Sequence, residues 1–205
     1  MIDFGGAVIS LIIILVSVIL HELAHGVTAY FLGDTTAKDD GRLTLNPLKH
    51  LDLYTSVILP MILYFMNAPV FGAAKPVPVN SERLKGKEWG MALVALAGPL
   101  TNFLIALVSF LIWFYTNETI DLLFDIMAIN LGFMAFNLLP IPPLDGSRIL
   151  YAIAPDGVRK IMQDLERYGI FIVMALILVL GGPMGNITSN IINGVYRFFL
   201  ALVGV

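Results

Sequence analysis

Long stretches of this chain carry no Asp, Glu, Lys or Arg, and together they take up most of its length. Phe4–Gly33 is interrupted only around His21 and Glu22, Met91–Asn117 runs 27 residues without a charge, and Tyr168–Tyr196 runs 29. Ile126–Leu144 is also charge-free and continues through Asp145 and Arg148 to Ala154. A helix needs about 20 apolar residues to cross a bilayer, so each run predicts a membrane helix. Three glycines and a proline between Gly181 and Asn186 predict a turn that divides the last run into two spans. The shorter run Leu53–Ala74 contains Pro60 and Pro69 and reads as a re-entrant hairpin, or as a crossing undone before Lys75. The expected fold is an all-α polytopic membrane protein with about five to six transmembrane or re-entrant helices.

Residues 1–205 read as one membrane-embedded domain, with a core over about 7–154 and further C-terminal helices over about 168–204. The first apolar run has no basic residue before it and no obvious cleavage site, so it is expected to stay in the protein as a span. Composition agrees, with 58% apolar and 13% charged residues, against roughly 45–50% and about 25% in soluble domains. Twelve basic against fifteen acidic residues give a net charge of −3, so no basic field exists to hold nucleic acid. The expected surroundings are the lipid bilayer and other membrane segments; the oligomeric state is not specified by the sequence. Without cysteine, a metal would have to be held by His, Asp or Glu.

Lys38, Arg42 and Lys49, the group from Lys75 to Lys87, the group from Arg148 to Arg167, and Arg197 all fall on one side if Leu53–Ala74 makes no net crossing. Basic residues favour the cytoplasmic side, which predicts a multi-pass protein with its N-terminus outside.

The first run contains His21-Glu22-Leu23-Ala24-His25, the H-E-x-x-H pattern. Residues four apart share a helix face, so both imidazoles can reach one Zn²⁺ while Glu22 stands beside them as a base. Only three histidines exist in the chain, and two of them are here. Ionisable groups inside a span are costly and usually functional, which weighs against a pair of merely structural core histidines. Nine residues separate His25 from Asp34, about 13 Å of helix, so the site is expected within the bilayer and nearer the cytoplasmic face. A catalytic zinc site needs a third ligand. Asp145 is the candidate, the only acidic residue between Ile126 and Ala154, lying just after Pro140, Pro142 and Pro143, which must break the helix. The competing reading of Asp145-Gly146 is an ordinary turn at the membrane surface.

These residues, with Gly98-Pro99-Leu100-Thr101-Asn102 and the N-x-x-P-x-x-P-x-D-G segment from Asn137 to Gly146, resemble the site-2 protease family of intramembrane zinc metallopeptidases. Gly41 to Pro47 and Lys75 to Asn80 resemble its compact single-domain branch, without PDZ or CBS domains. One departure is Leu53-Tyr54-Thr55-Ser56, where a proline and a glycine are expected. The resemblance implies one Zn²⁺ bound by His21, His25 and Asp145, Glu22 as general base, and membrane-anchored proteins as substrates.

Weaker signals surround this core. Leu43, Thr44 and Leu45 alternate in the strand manner, and Val77 and Val79 lie between prolines. They predict a short β-hairpin-like element on the cytoplasmic side, either a clamp for an extended substrate strand or a structural seal. Asn102 and Asn137 are amides in apolar spans, suited either to interhelical hydrogen bonds or to holding a substrate backbone or oxyanion. His50 reads as a surface histidine. Two other classes remain open: an intramembrane metal transporter or sensor, and a non-catalytic binder of transmembrane segments.

Overall fold

A computed structural model describes residues 4–58, 61, 62, 65, 74–117, 119–178 and 181–205. The chain forms α1 (Phe4–Phe31), a single turn α2 (Thr36–Asp39), a 3₁₀ turn at Pro47–Lys49 and a π turn at Leu53–Ile58. It continues through α3 (Glu88–Tyr115), α4 (Asp121–Asn137), α5 (Asp145–Ile153), α6 (Asp156–Glu166), α7 (Gly169–Leu178) and α8 (Gly181–Leu202).

α1 and α3 are each 28 residues, about 42 Å at 1.5 Å per residue, and among the described residues these two are long and apolar enough to cross a membrane. Their boundaries follow the charge-free runs. α1 stops where Gly33 turns the chain at φ +103°, a left-handed conformation that suits glycine at a helix end. α3 has two unlike faces. Leu93, Leu96, Leu100, Leu104, Val108, Ile112 and Tyr115 form an exposed apolar stripe at helical spacing, as a lipid-facing surface would. Gly90, Val94, Gly98, Asn102, Ala106 and Phe110, every fourth residue, are buried against the other helices. The small residues among them allow close approach of backbones.

α3 packs most extensively on α4 and also on α1 and α5, which makes it the central post of the fold. At one end Phe110, Met127, Leu131, Met134 and Phe199 build an apolar cluster from α3, α4 and α8. Phe110 is ringed by Trp113, Phe114, Tyr196 and Phe199 with centroids 5.3–6.4 Å apart. The other end of α3 carries the polar centre.

Three expectations take a different form. α4 is only 17 residues, about 26 Å, because Leu138–Leu144 with its three prolines leaves the helix before Asp145 restarts it. The segment Gly181–Asn186 is itself helical, within α8, and residues 179 and 180 just before it lie outside the described residues. No strand forms among the described residues, so the hairpin-like element is absent there. Leu43 and Thr44 lie in bends, and 74–80 takes no regular secondary structure and has no ladder partner. The prolines at 76 and 78 have no N–H to offer one. Residues 59, 60, 63, 64 and 66–73 lie outside the described residues, and with them the path expected for Leu53–Ala74.

Candidate active site

Ser17, His21 and His25 recur every four residues and so share one face of α1. The two imidazoles stand edge to face, and their Nε2 atoms are 3.0 Å apart. The remaining ring nitrogens are both tied to carbonyl-type oxygens. His21 Nδ1 meets Asn102 Oδ1 at 2.6 Å, and His25 Nδ1 meets the Val94 carbonyl at 2.7 Å. An oxygen of this kind only accepts, so each Nδ1 carries the proton and each Nε2 turns its lone pair inward.

Asp145 completes the triangle. Its Oδ2 is 3.1 Å from His21 Nε2 and its Oδ1 is 3.4 Å from His25 Nε2. Two imidazole lone pairs and a carboxylate thus converge on one point, and Asp145 Oδ2 is buried without a hydrogen-bond donor. Such a cluster of acceptors needs a cation. A tetrahedral zinc ion about 2.1 Å from its ligands would hold them about 3.4 Å apart, so the residues present fit the ion. Among the described residues this is the one group of three or more possible ligands close enough to share a metal.

Local backbone explains why these side chains meet. Gly98 faces the triangle from α3, and a Cβ there would stand 2.5 Å from Nε2 of both histidines. Pro99 lacks the N–H that would meet the Ala95 carbonyl, next to the Val94 carbonyl that accepts from His25 Nδ1. On the opposite side Gly146 seats α5 against the Leu138 and Leu139 carbonyls, which any Cβ would strike. That contact fixes Asp145 at the first position of α5.

Behind His21 lies a buried polar chain. Asn102 Nδ2 donates to Asn130 Oδ1 at 2.8 Å, and Asn130 Nδ2 donates to Ser17 Oγ and to the Ile126 carbonyl, each at 2.9 Å. Both asparagines are fully buried. Asn102 therefore has both ends of its amide occupied, by His21 on one side and Asn130 on the other. Asn137 Nδ2 donates to the Phe133 carbonyl of its own helix at 3.1 Å. Asn130 and Ser17 are not among the residues the sequence motifs mark. Their signals were a second amide in the α4 run and a hydroxyl one turn before His21.

Glu22 is held from the loop side. Its Oε2 accepts the Val77 N–H at 2.8 Å. The segment around Val77 is tied down on all sides. Lys75 N–H donates to the His50 carbonyl at 2.8 Å, Arg42 Nη2 donates to the Lys75 and Pro76 carbonyls at 2.8 and 3.3 Å, and Asn80 N–H donates to Asp34 Oδ2 at 2.6 Å. Burial pushes the Asp34 carboxyl up, but hydrogen bonds from Thr36 and from the Asn80 N–H, with Arg83 nearby, outweigh it and hold the carboxyl below its ordinary value. Leu43 and Val77 fill the space over Gly26, where a Cβ would stand 2.6 and 2.9 Å from them. Thr44 gives its carbonyl to His50 Nε2 at 2.8 Å, while Leu45 is 62% exposed. His50, expected at the surface, is 1% exposed and braces this loop from inside.

The model of Peptidase family M50 matches residues 9–119 and 115–180 of the chain. The chain is 39% identical over 187 residues to "Putative zinc metalloprotease YwhC" of Bacillus subtilis, covering 85% of this chain and 81% of that protein. It is 30% identical over 173 residues to "Putative zinc metalloprotease Rip2" of Mycolicibacterium smegmatis, covering 80% of this chain and 64% of that one. It is also 35% identical over 147 residues to "Putative zinc metalloprotease MJ0611" of Methanocaldococcus jannaschii, covering 70% and 69%. No solved structure matches the chain significantly.

Proposed function

Because the chain belongs to peptidase family M50 and is a zinc metalloprotease, we propose that it hydrolyses peptide bonds within or near transmembrane segments of membrane-anchored proteins, as regulated intramembrane proteolysis requires. His21, His25 and Asp145 hold the Zn²⁺, and Glu22 is the general base. The reading rests on the triangle of acceptor atoms 3.0–3.4 Å apart, buried in helices whose outer faces are apolar. The membrane position of that triangle is part of the proposal: a multi-pass protein with its N-terminus outside and its active site nearer the cytoplasmic face. Nine residues from His25 to Asp34, about 13 Å of helix, leave water a short route to the site.

When bound, the zinc ion polarises the scissile carbonyl and lowers the pKa of a water molecule there. Glu22 takes a proton from the attacking water and delivers it to the leaving amine. His21 and His25 are kept in the ligand tautomer by Asn102 and the Val94 carbonyl, so no reorganisation is needed as charge develops. A helical substrate must be unwound first, because its own hydrogen bonds occupy the carbonyl to be attacked. Leu43, Thr44 and Leu45 could meet the extended strand so formed only through Leu45, since the other two are engaged in the loop.

The test compares wild type with Glu22→Gln, purified in detergent, by metal mass spectrometry and by cleavage of an unfolded protein and of a single-span model substrate. Both proteins are expected to hold about one zinc per chain, because Glu22 lies outside the ligand set. Glu22→Gln should lose roughly 10²- to 10⁴-fold in kcat. Equal cleavage by the two proteins would refute the base assignment. A folded wild type that binds zinc and cleaves neither substrate would instead favour a non-catalytic binder or a transporter.

A further inference from the structure

We infer that Arg42 is a positioning residue for the base: through the single peptide group between Pro76 and Val77 it fixes the Glu22 carboxylate. The inference rests on the peptidase reading above. Arg42 Nη2 donates to the Pro76 carbonyl, and the N–H on the other side of that same peptide bond, Val77 N–H, donates to Glu22 Oε2. In a planar trans peptide the carbonyl and the N–H point in opposite directions. Arg42 and Glu22 therefore grip one rigid plate from its two edges.

The Pro-Val-Pro sequence makes the plate selective. Pro76 and Pro78 have no N–H, so Val77 offers the one backbone donor over 76–78, and Glu22 takes it. A second hydrogen bond from Arg42, to the Lys75 carbonyl at 2.8 Å, stops the segment sliding along its own axis. Arg42 as a whole residue is only 7% exposed. A buried cation is costly unless its partners are strong, and here two carbonyl dipoles are aimed at it. Its charge also polarises the Pro76–Val77 peptide and strengthens the N–H that faces Glu22.

Arg42 arrives there by local backbone design. Gly41 at φ +61° reverses the chain after α2, and the Arg42 N–H closes the turn on the Ala37 carbonyl at 2.8 Å. Neither Arg42 nor Val77 touches His21, His25 or Asp145 through any hydrogen bond or ion pair among the described residues. Substitution at Arg42 should therefore change turnover and leave the metal in place.

The test is a double-mutant cycle in detergent with fluorescein-labelled casein, an unfolded protein that needs no unwinding, as the probe. Wild type, Glu22→Gln, Arg42→Gln, Arg42→Lys, Val77→Pro and the Arg42→Gln/Val77→Pro double variant are compared for zinc content, thermal unfolding, kcat and KM. Arg42→Gln should keep about one zinc per chain and a KM within about twofold of wild type, with kcat lowered roughly 10- to 100-fold, as a displaced catalytic group predicts. Arg42→Lys, which keeps the cation, should recover part of kcat. Val77→Pro removes the donor itself, so the double variant should be no slower than Val77→Pro alone. If Arg42→Gln does not fold, the comparison of Arg42→Lys with Val77→Pro carries the test, and a normal kcat in a folded Val77→Pro overturns the inference. Unchanged kcat in a folded, zinc-loaded Arg42→Gln overturns it as well, as does a drop in zinc that parallels the drop in kcat. A wild-type rate no greater than that of Glu22→Gln refutes the base assignment and overturns this inference with it. A wild-type rate that Glu22→Gln lacks and Arg42→Gln keeps overturns this inference alone.

Discussion

Two sides of α1 are built by different means. On the side of His21 and His25, the neighbours are helices α3, α4 and α5, and every polar contact is set by helix register: Asn102, Asn130 and Ser17 form one buried chain, and Val94 and Gly98 lie a turn apart. On the side of Glu22 and Gly26, the neighbours are loops, and the contacts run from side chains to the backbone of 75–80. Position on the first side comes from helix packing, which is rigid and cannot shift one residue without moving a whole element. Position on the second comes from a few hydrogen bonds around one segment. The division suits the two jobs, since a metal needs fixed ligands while a base must stay open to substrate and water.

The largest expected effect breaks the first side. Asp145→Ala removes one of the three ligands and leaves two imidazole lone pairs facing each other. Bound zinc should fall well below one per chain, and loss of the Lewis acid should cost on the order of 10³-fold in kcat/KM. Metal mass spectrometry beside a cleavage assay reads both at once. Full zinc retention would show that another group supplies the third ligand.

A smaller effect is expected one layer further out. Asn102→Leu keeps the volume of the side chain but frees His21 Nδ1 and strands Asn130 Oδ1, both buried. Losing an outer partner of this kind lowers metal affinity roughly 10- to 100-fold, and the unsatisfied amide costs about 1–3 kcal/mol of stability. Competition with a zinc chelator and thermal unfolding measure the two losses separately. Set beside Arg42→Gln, this variant sharpens the contrast: disturbance on the helical side releases metal, and disturbance on the loop side slows turnover with metal retained.

Much of the helical side was legible in the sequence. The H-E-x-x-H spacing puts His21 and His25 on one face by geometry alone, and a lone aspartate after three prolines has few places to go but inward. The ends of α1 and α3 lie within three residues of the charge-free runs. The loop side was much less legible. Alternation at Leu43, Thr44 and Leu45 is a true local pattern, yet Gly41 and His50 impose a turn and a brace that depend on distant residues. The asparagines show the same limit within the helices, because an amide in an apolar span must find a partner and only packing decides which.

The smallest expected effect tests the outer anchor of the loop side. Asp34 accepts hydrogen bonds from the Thr36 N–H and hydroxyl and from the Asn80 N–H, so it clips the far end of the 75–80 segment to the turn after α1. These bonds favour the ionised carboxylate and hold its folded pKa below the ordinary 3.8 despite burial. The sign of the linkage follows. The unfolded chain binds a proton at Asp34 more readily than the folded one, so the contribution to stability is complete above the unfolded value and is lost as pH falls through the lower folded value. Thermal unfolding of wild type should show a step of destabilisation on acidification from about pH 5 downward, and Asp34→Asn, which cannot ionise, should lack that step. A clip at residue 80 lies three residues from Val77, so Asp34→Asn should lower kcat less than Arg42→Gln does. Equal effects would mean that the whole segment, and not the one peptide gripped by Arg42, holds the base in place.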